Sequence, residues 1–206
     1  MDVAYPYRAV CPTLDGDVLR TLAGTTMALT GRQVAVLAGR RSHAGVLRVL
    51  HRLTEHGLVD RVELNRAFLF TLNREHLAYP AVVELTGMRV ALLDSLEKEF
   101  TAWEISPVHA SLFGSAARGD GDARSDIDLF IVRPEKVDQE EPQWREQLSA
   151  LEAKVSRWTG NRAAALDVQE SKLERLLAED RPIVTELRAD AITLAGLPIA
   201  ALLGDA

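Results

Sequence analysis
Two aspartates one residue apart, Asp126 and Asp128, open the apolar run SDIDLFIV, and a Gly-Ser pair, Gly114-Ser115, closes the earlier run VHASLFG. The polar segment AARGDGDAR lies between them. In a strand, residues two apart share a face, so both carboxylates project together while Ile127 points the other way. Two neighbouring ionised carboxylates repel, and a hard divalent cation that prefers oxygen relieves the repulsion; Mg²⁺ is the natural candidate. Gly114 leaves the backbone open to a phosphate, and if Ser115 opens a helix its hydroxyl and the adjoining N–H groups face that phosphate. Arg118, one helical turn on, adds charge to the same group; its competing reading is a surface salt bridge with Asp120 or Asp122. A metal-binding acid pair beside a phosphate cradle is what phosphoryl or nucleotidyl transfer requires. Asp167, an isolated acid in the apolar run AALDV, is the expected third carboxylate, ligating metal and favouring deprotonation of an acceptor hydroxyl. The bland alternative for Asp167 is a solvated acid at a strand end.

The elements that must position these groups follow from periodicity. Residues 108–114 and 125–132 read as buried strands, a helix is expected over about 143–159, and RAAALDVQ reads as a third strand. Helical patterns fill 172–178 and 182–189, and the apolar tail AITLAGLPIAALLG is expected to lie against the sheet. Upstream, 80–104 shows an amphipathic pattern with Val83, Val90, Leu93, Leu96 and Phe100 as its stripe, the expected bridging helix. Before that come three short helical patterns, 15–23, one opening at Thr30-Gly31, and one capped by Ser42 and running to Gly57. The alternating segment LVDRVELNRAFLFTLN, with Asn65 at its turn, reads as a β-hairpin. Three helices followed by a hairpin predict a winged helix-turn-helix over residues 1–79, joined to a second domain over 80–206.

The motif Gly114-Ser115, Arg118-Gly119, Ser125-Asp126-Ile127-Asp128-Leu129 resembles the signature of the DNA polymerase beta-like nucleotidyltransferase superfamily in its minimal form. The resemblance spans about residues 82–196. It implies an α+β fold with a small mixed sheet and helices on one side. It also implies a bound nucleoside triphosphate with two Mg²⁺ ions, and transfer of a nucleoside monophosphate, AMP in most relatives, with release of pyrophosphate. Carried over by position, Asp126 and Asp128 would hold the metals and Asp167 would be the third acid. Gly114, Ser115, Arg118 and Ser125 would line the nucleotide.

Composition sets the frame around this reading. The chain has 206 residues and a net charge of −6, enough for two small cores, and it divides unevenly. Residues 1–80 carry ten arginines against seven acids, and 81–206 carry 14 basic against 23 acidic residues. The basic half suits contact with nucleic-acid phosphates. The expected DNA-binding set is Arg40, Arg41, Ser42, His43 and Arg48 on the third helix, with Arg61 and Arg66 from the wing. One cysteine, Cys11, excludes an internal disulfide framework. No window is apolar enough for a membrane span and no export signal opens the chain, so a cytoplasmic protein is expected. Winged-helix analogy implies a homodimer. The acceptor, a hydroxyl of an RNA, a protein or a small molecule, is left open. Two further readings compete: a regulator that only senses a nucleotide, and a toxin-antitoxin or defence-like component. The intact acidic pair speaks against a dead site.

Overall fold
The computed structural model describes residues 1–178 and 182–203, which form two compact units, Pro6–Met88 and Met1–Tyr5 with Arg89 onward. The division falls after Met88 rather than at 79/80. The expected single helix over 80–104 is two helices, α4 (Tyr79–Thr86) and α5 (Met88–Thr101), parted at Gly87. That break resets the helical phase. Val83 and Val90 of the expected stripe are exposed, while Val82 enters the first core and Leu92, Leu96 and Phe100 enter the second.

In the unit Pro6–Met88, a 3-10 turn leads into α1 (Leu14–Ala23), β1 (Leu29–Thr30), α2 (Gly31–Leu37), α3 (His43–Glu55), β2 (Val59–Leu64), β3 (Ala67–Leu72) and α4. Thr30 and Gln33 form a reciprocal capping box that starts α2, and Ser42 accepts the Gly45 N–H to start α3. Val46, Leu50 and Leu53 repeat at helical spacing and bury one face of α3 against Val18, Leu22, Val34 and Phe70. The antiparallel sheet runs β1-β3-β2. Asn65 and Arg66 both take left-handed φ values, 48° and 65°, which closes the β2–β3 hairpin with two residues.

Asp17, on α1, is buried where the helix pattern alone would place an apolar residue. It accepts the Tyr7 hydroxyl at 2.7 Å and ion-pairs with Arg8 at 2.9 Å and Arg41 at 2.7 Å. Burial pushes its carboxyl up, but Tyr7, Arg8 and Arg41 together hold it below the usual range.

The second unit is built on a four-stranded mixed sheet in the order β6-β5-β4-β7. Its elements after α5 are β4 (His109–Phe113), α6 (Gly114–Arg118), β5 (Ile127–Arg133), α7 (Pro142–Thr159), β6 (Ala163–Gln169), α8 (Glu170–Ala178), α9 (Pro182–Asp190), β7 (Ile192–Gly196) and α10 (Ile199–Leu203). Strands β5 and β6 run parallel, and β4 is antiparallel to both β5 and β7. The apolar tail is thus an edge strand and a short helix.

Alternation divides the β5 side chains between two cores. Ile127, Leu129 and Ile131 join Leu96, Phe100, Trp144, Leu151 and Val155 under α5 and α7. Phe130 and Val132 face the other way and meet Phe113, Leu173 and Leu187, the last two from α8 and α9. Helices therefore cover parts of both faces, not one as the resemblance implies. Trp103 and Trp144 stack edge-on at 5.3 Å within the larger core, whereas Trp158 is exposed. Among the described residues, no helix is long and apolar enough to cross a membrane.

Candidate active site
Phe113 pairs with Asp128 across β4 and β5, so the turn after β4 lies beside the Asp128 carboxylate. Gly114 occupies that turn with φ +67°, and a Cβ there would come within 2.8 Å of Asp128 Oδ2. Glycine is required twice over, by the left-handed backbone and by the carboxylate resting on it. Asp126 sits just ahead of β5, on the same side as Asp128. Among the described residues Asp128 accepts no hydrogen bond. Asp126 has one distant partner, Arg162 at 3.9 Å.

Burial first, then the charges of Asp126 and Glu186, push the Asp128 carboxyl above its ordinary value; Arg118 pulls weakly the other way. Glu186 enters from α9, a helix that the sequence pattern identified without marking its acid. Arg118 is held by acids: Asp120 at 3.1 Å, Asp190 at 3.4 Å and Glu186 at 3.9 Å. Its competing reading, a salt bridge, thus describes its resting state, with two partners that are remote in sequence.

The loop from 119 to 125 is organised around Ser115 and Asp122. The Ser115 carbonyl accepts the N–H groups of Gly119, Asp120 and Gly121, and the Ser115 hydroxyl lies against Gly121, where a Cβ would come within 2.8 Å of it. Asp122 accepts the N–H groups of Arg124 and Ser125, and the Ser125 hydroxyl accepts the Asp122 N–H at 2.9 Å.

Two positioning residues have no local signature in the sequence. Asn161, buried, donates its amide to the Ser125 and Asp122 carbonyls and accepts the chain's first amino group. Arg89 donates to the Ala116 and Ala117 carbonyls at the end of α6 and to the Val3 carbonyl. Residues 1–5 therefore belong to the frame of this site.

Asp167 does not join the acid pair. In the parallel register, Asp128 lies opposite Ala164 and Asp167 lies opposite Ile131. Asp167 is three residues further along, ~10 Å at strand rise, and on the opposite face. There it ion-pairs with the buried Arg133 and accepts the Trp144 indole N–H at 3.3 Å. Burial pushes its carboxyl up against the pull of Arg133. The physical reason for the correction is parity: a strand's neighbour and its distance downstream do not fix which face a side chain takes.

Among the described residues no three His, Cys, Asp or Glu side chains form a ready metal cluster. The acid pair fits Mg²⁺ nonetheless. Two adjacent carboxylates, with Asp128 accepting no hydrogen bond among the described residues and raised by burial and then by its neighbours' charge, offer the one or two protein ligands that Mg²⁺ takes when phosphate oxygens and water complete its shell.

In the unit Pro6–Met88, the expected DNA-binding residues divide. The Arg40, His43, Arg48 and Arg66 side chains are exposed and make no hydrogen bond or ion pair among the described residues. Ser42 is the α3 cap. Arg41 is committed to Asp17 through two contacts, at 2.8 and 2.7 Å, because a buried carboxylate needs the charge more than solvent does. Arg61 lies over the Phe68 ring at 4.7 Å.

Residues 91–190 match the family model of the nucleotidyltransferase domain. The match takes in β4, β5 and β6 with Gly114, Ser115, Asp126 and Asp128. No curated protein and no solved structure matches the chain.

Proposed function
We propose that the nucleotidyltransferase domain of residues 91–190 moves a nucleoside monophosphate, AMP in the first instance, from a nucleoside triphosphate to an acceptor hydroxyl, using Asp126 and Asp128 with Mg²⁺. The observation that carries this reading is the Asp128 carboxylate, without a hydrogen bond among the described residues, seated on Gly114 with Asp126 beside it. Asp126 and Asp128 would hold the metal, which when bound neutralises the triphosphate and the charge developing at the reacting phosphorus. Gly114 keeps that surface free of a Cβ, so a phosphate can lie against the backbone. The Ser115 hydroxyl, fixed by the 119–125 loop, can donate to the triphosphate. Arg118 would exchange its hold on Asp120, Asp190 and Glu186 for phosphate oxygens, a stronger partner for a guanidinium. Asp167 has no part in this scheme.

The N-terminal unit is proposed to be a winged helix that binds DNA. Its element order and β1-β3-β2 sheet support the reading. So do the uncommitted Arg48 on α3, Arg40 and His43 at its start, and Arg66 at the hairpin tip. Arg41 is left out of the contact set.

The test is incubation of the purified chain with each α-³²P-labelled nucleoside triphosphate, Mg²⁺ and cell extract, beside Asp128→Asn. A labelled product made by the wild type alone is expected and would identify the acceptor class. Equal labelling by both proteins would remove the acid pair from the chemistry.

A further inference from the structure
A cavity of about 410 Å³ opens in the unit Pro6–Met88 between the starts of α2 and α3 and the β3 end of the hairpin. Its floor is apolar, formed by Leu47, Phe68 and Phe70, and two arginines, Arg32 and Arg66, line it together with the imidazole of His43. No acid lines it. These three side chains are exposed and make no hydrogen bond or ion pair among the described residues, unlike Arg8, Arg41 and Arg52, each of which is held by an acid. Two successive left-handed residues, Asn65 and Arg66, close the hairpin tightly and place Arg66 at the rim. Gly31 closes the cavity tightly: a Cβ there would come within 2.7 Å of the Leu47 side chain and 3.4 Å of His43.

An apolar, partly aromatic floor beneath a rim that carries two arginines and an imidazole calls for a ligand with a flat body and anionic oxygens. The volume suits a small organic molecule and is too confined for a folded partner. We infer that this cavity is a second nucleotide site: it takes a nucleoside phosphate, base towards Phe68 and Leu47 and phosphates on Arg32, His43 and Arg66, without a divalent metal. His43 and Arg66 also belong to the proposed DNA face, so occupation would exclude DNA. That consequence rests on the DNA-binding reading; the nucleotide site itself does not.

The experiment is equilibrium dialysis of the full chain with [α-³²P]ATP in EDTA, where the metal-dependent acid pair contributes no binding. Saturable binding of one equivalent is expected in the wild type and in Asp128→Asn. The double variant Arg32→Ala/Arg66→Ala should bind at least tenfold more weakly, and Arg48→Ala, whose charge lies outside the cavity, should bind as the wild type does. Inorganic triphosphate should compete at least tenfold less well than ATP. If the double variant fails to fold by circular dichroism, Ala67→Glu, which brings a carboxylate to the exposed rim, must give the same loss. Absence of saturable binding in EDTA overturns the proposal. So does equal weakening by Arg48→Ala, which would indicate a diffuse basic surface, or equal competition by triphosphate, which would indicate a simple anion site. Loss of binding in Asp128→Asn alone would assign the nucleotide to the acid pair and leave the catalytic reading standing.

Discussion

Asp128 and Asp167 are each the sole acid of their strand, and the two strands are parallel neighbours, yet they meet opposite fates. Asp128 faces the smaller core, beside Phe130 and the Gly114 turn, and accepts no hydrogen bond among the described residues. Asp167 faces α7, where Arg133 and Trp144 hold it in a buried pair. A carboxylate left without partners near other carboxylates is poised for a cation, whereas one already neutralised contributes structure. The difference lies in strand parity and in what each face packs against, not in the residue type.

The comparison breaks most sharply in activity. Asp128→Asn or Asp126→Asn should lower nucleotide transfer by on the order of 10³-fold or more, since metal stabilisation of the transition state amounts to several kcal/mol and each 1.4 kcal/mol is about tenfold. Asp167→Asn, assayed well below its melting temperature, should stay within about tenfold of the wild type. Initial rates with labelled triphosphate decide it, and equal losses at Asp128 and Asp167 would return Asp167 to the site.

In stability the order reverses. Asp167→Asn leaves the Arg133 guanidinium, only 3% exposed, without its counter-ion, and should destabilise the domain by about 3 kcal/mol in urea unfolding. Replacing both partners, Arg133→Met with Asp167→Leu, should recover most of that loss because no buried charge remains. Asp128→Asn removes a repulsive charge and should leave stability equal or higher. An Asp167→Asn variant as stable as the wild type would show that the Arg133–Asp167 pair between β5 and β6 contributes no net stability.

Much of this arrangement was legible in the sequence. Period-2 and period-3.6 patterns marked the hairpin, strands β4, β5 and β6 and most helices, and the spacing of Gly114-Ser115 and Asp126-Ile127-Asp128 marked the turn and the acid pair that the fold brings together. What escaped was non-local. The face of Asp167 depends on the β5–β6 register, which no local pattern contains. The helix break at Gly87 decides which core receives Val82 and which receives Leu92, and a single glycine within an apolar run does not announce a unit boundary. Asn161, Arg89 and the first five residues reach the site through contacts 27 to 160 residues apart in the chain. Glu186 carries no signature in the sequence, because it meets Arg118 only through the packing of α9 beside α6.

The Asp128 face can also be probed by pH. The same sheet face carries His109, fully buried beside Phe130, with Nδ1 donating to the Leu197 carbonyl at 2.6 Å and Nε2 accepting the Ser111 hydroxyl at 2.9 Å. Burial holds its pKa below the usual imidazole value, and the Leu197 carbonyl opposes this only in part. Below about pH 6.5 the unfolded chain takes up a proton that the folded imidazole refuses, so stability must fall as pH falls through that range. The limiting slope is about 1.4 kcal/mol per pH unit. The difference between wild type and His109→Gln in urea midpoints from pH 7.5 to 5.5 isolates it. A wild-type and variant pair with parallel pH profiles would mean that the smaller core admits the charged ring, and hence water, beside Phe130.

The smallest effects carry the same distinction into the N-terminal unit, where Arg48 and Arg41 stand as Asp128 and Asp167 do. Arg48 is exposed on α3 with no partner among the described residues, and Arg41 is tied to the buried Asp17. Arg48→Ala should weaken binding to duplex DNA several-fold and make its dependence on salt shallower by about one unit in the log–log slope, with no change in melting temperature. Arg41→Ala should instead cost about 1–2 kcal/mol of stability, since Asp17 keeps Tyr7 and Arg8 but loses two charge-assisted hydrogen bonds. Its salt slope should match the wild type at temperatures where the variant is folded. A shallower slope for Arg41→Ala would mean that DNA phosphates can draw this arginine from Asp17. The carboxylate would then be left with fewer donors, and the buried ion pair would be a store of binding charge rather than a fixed strut.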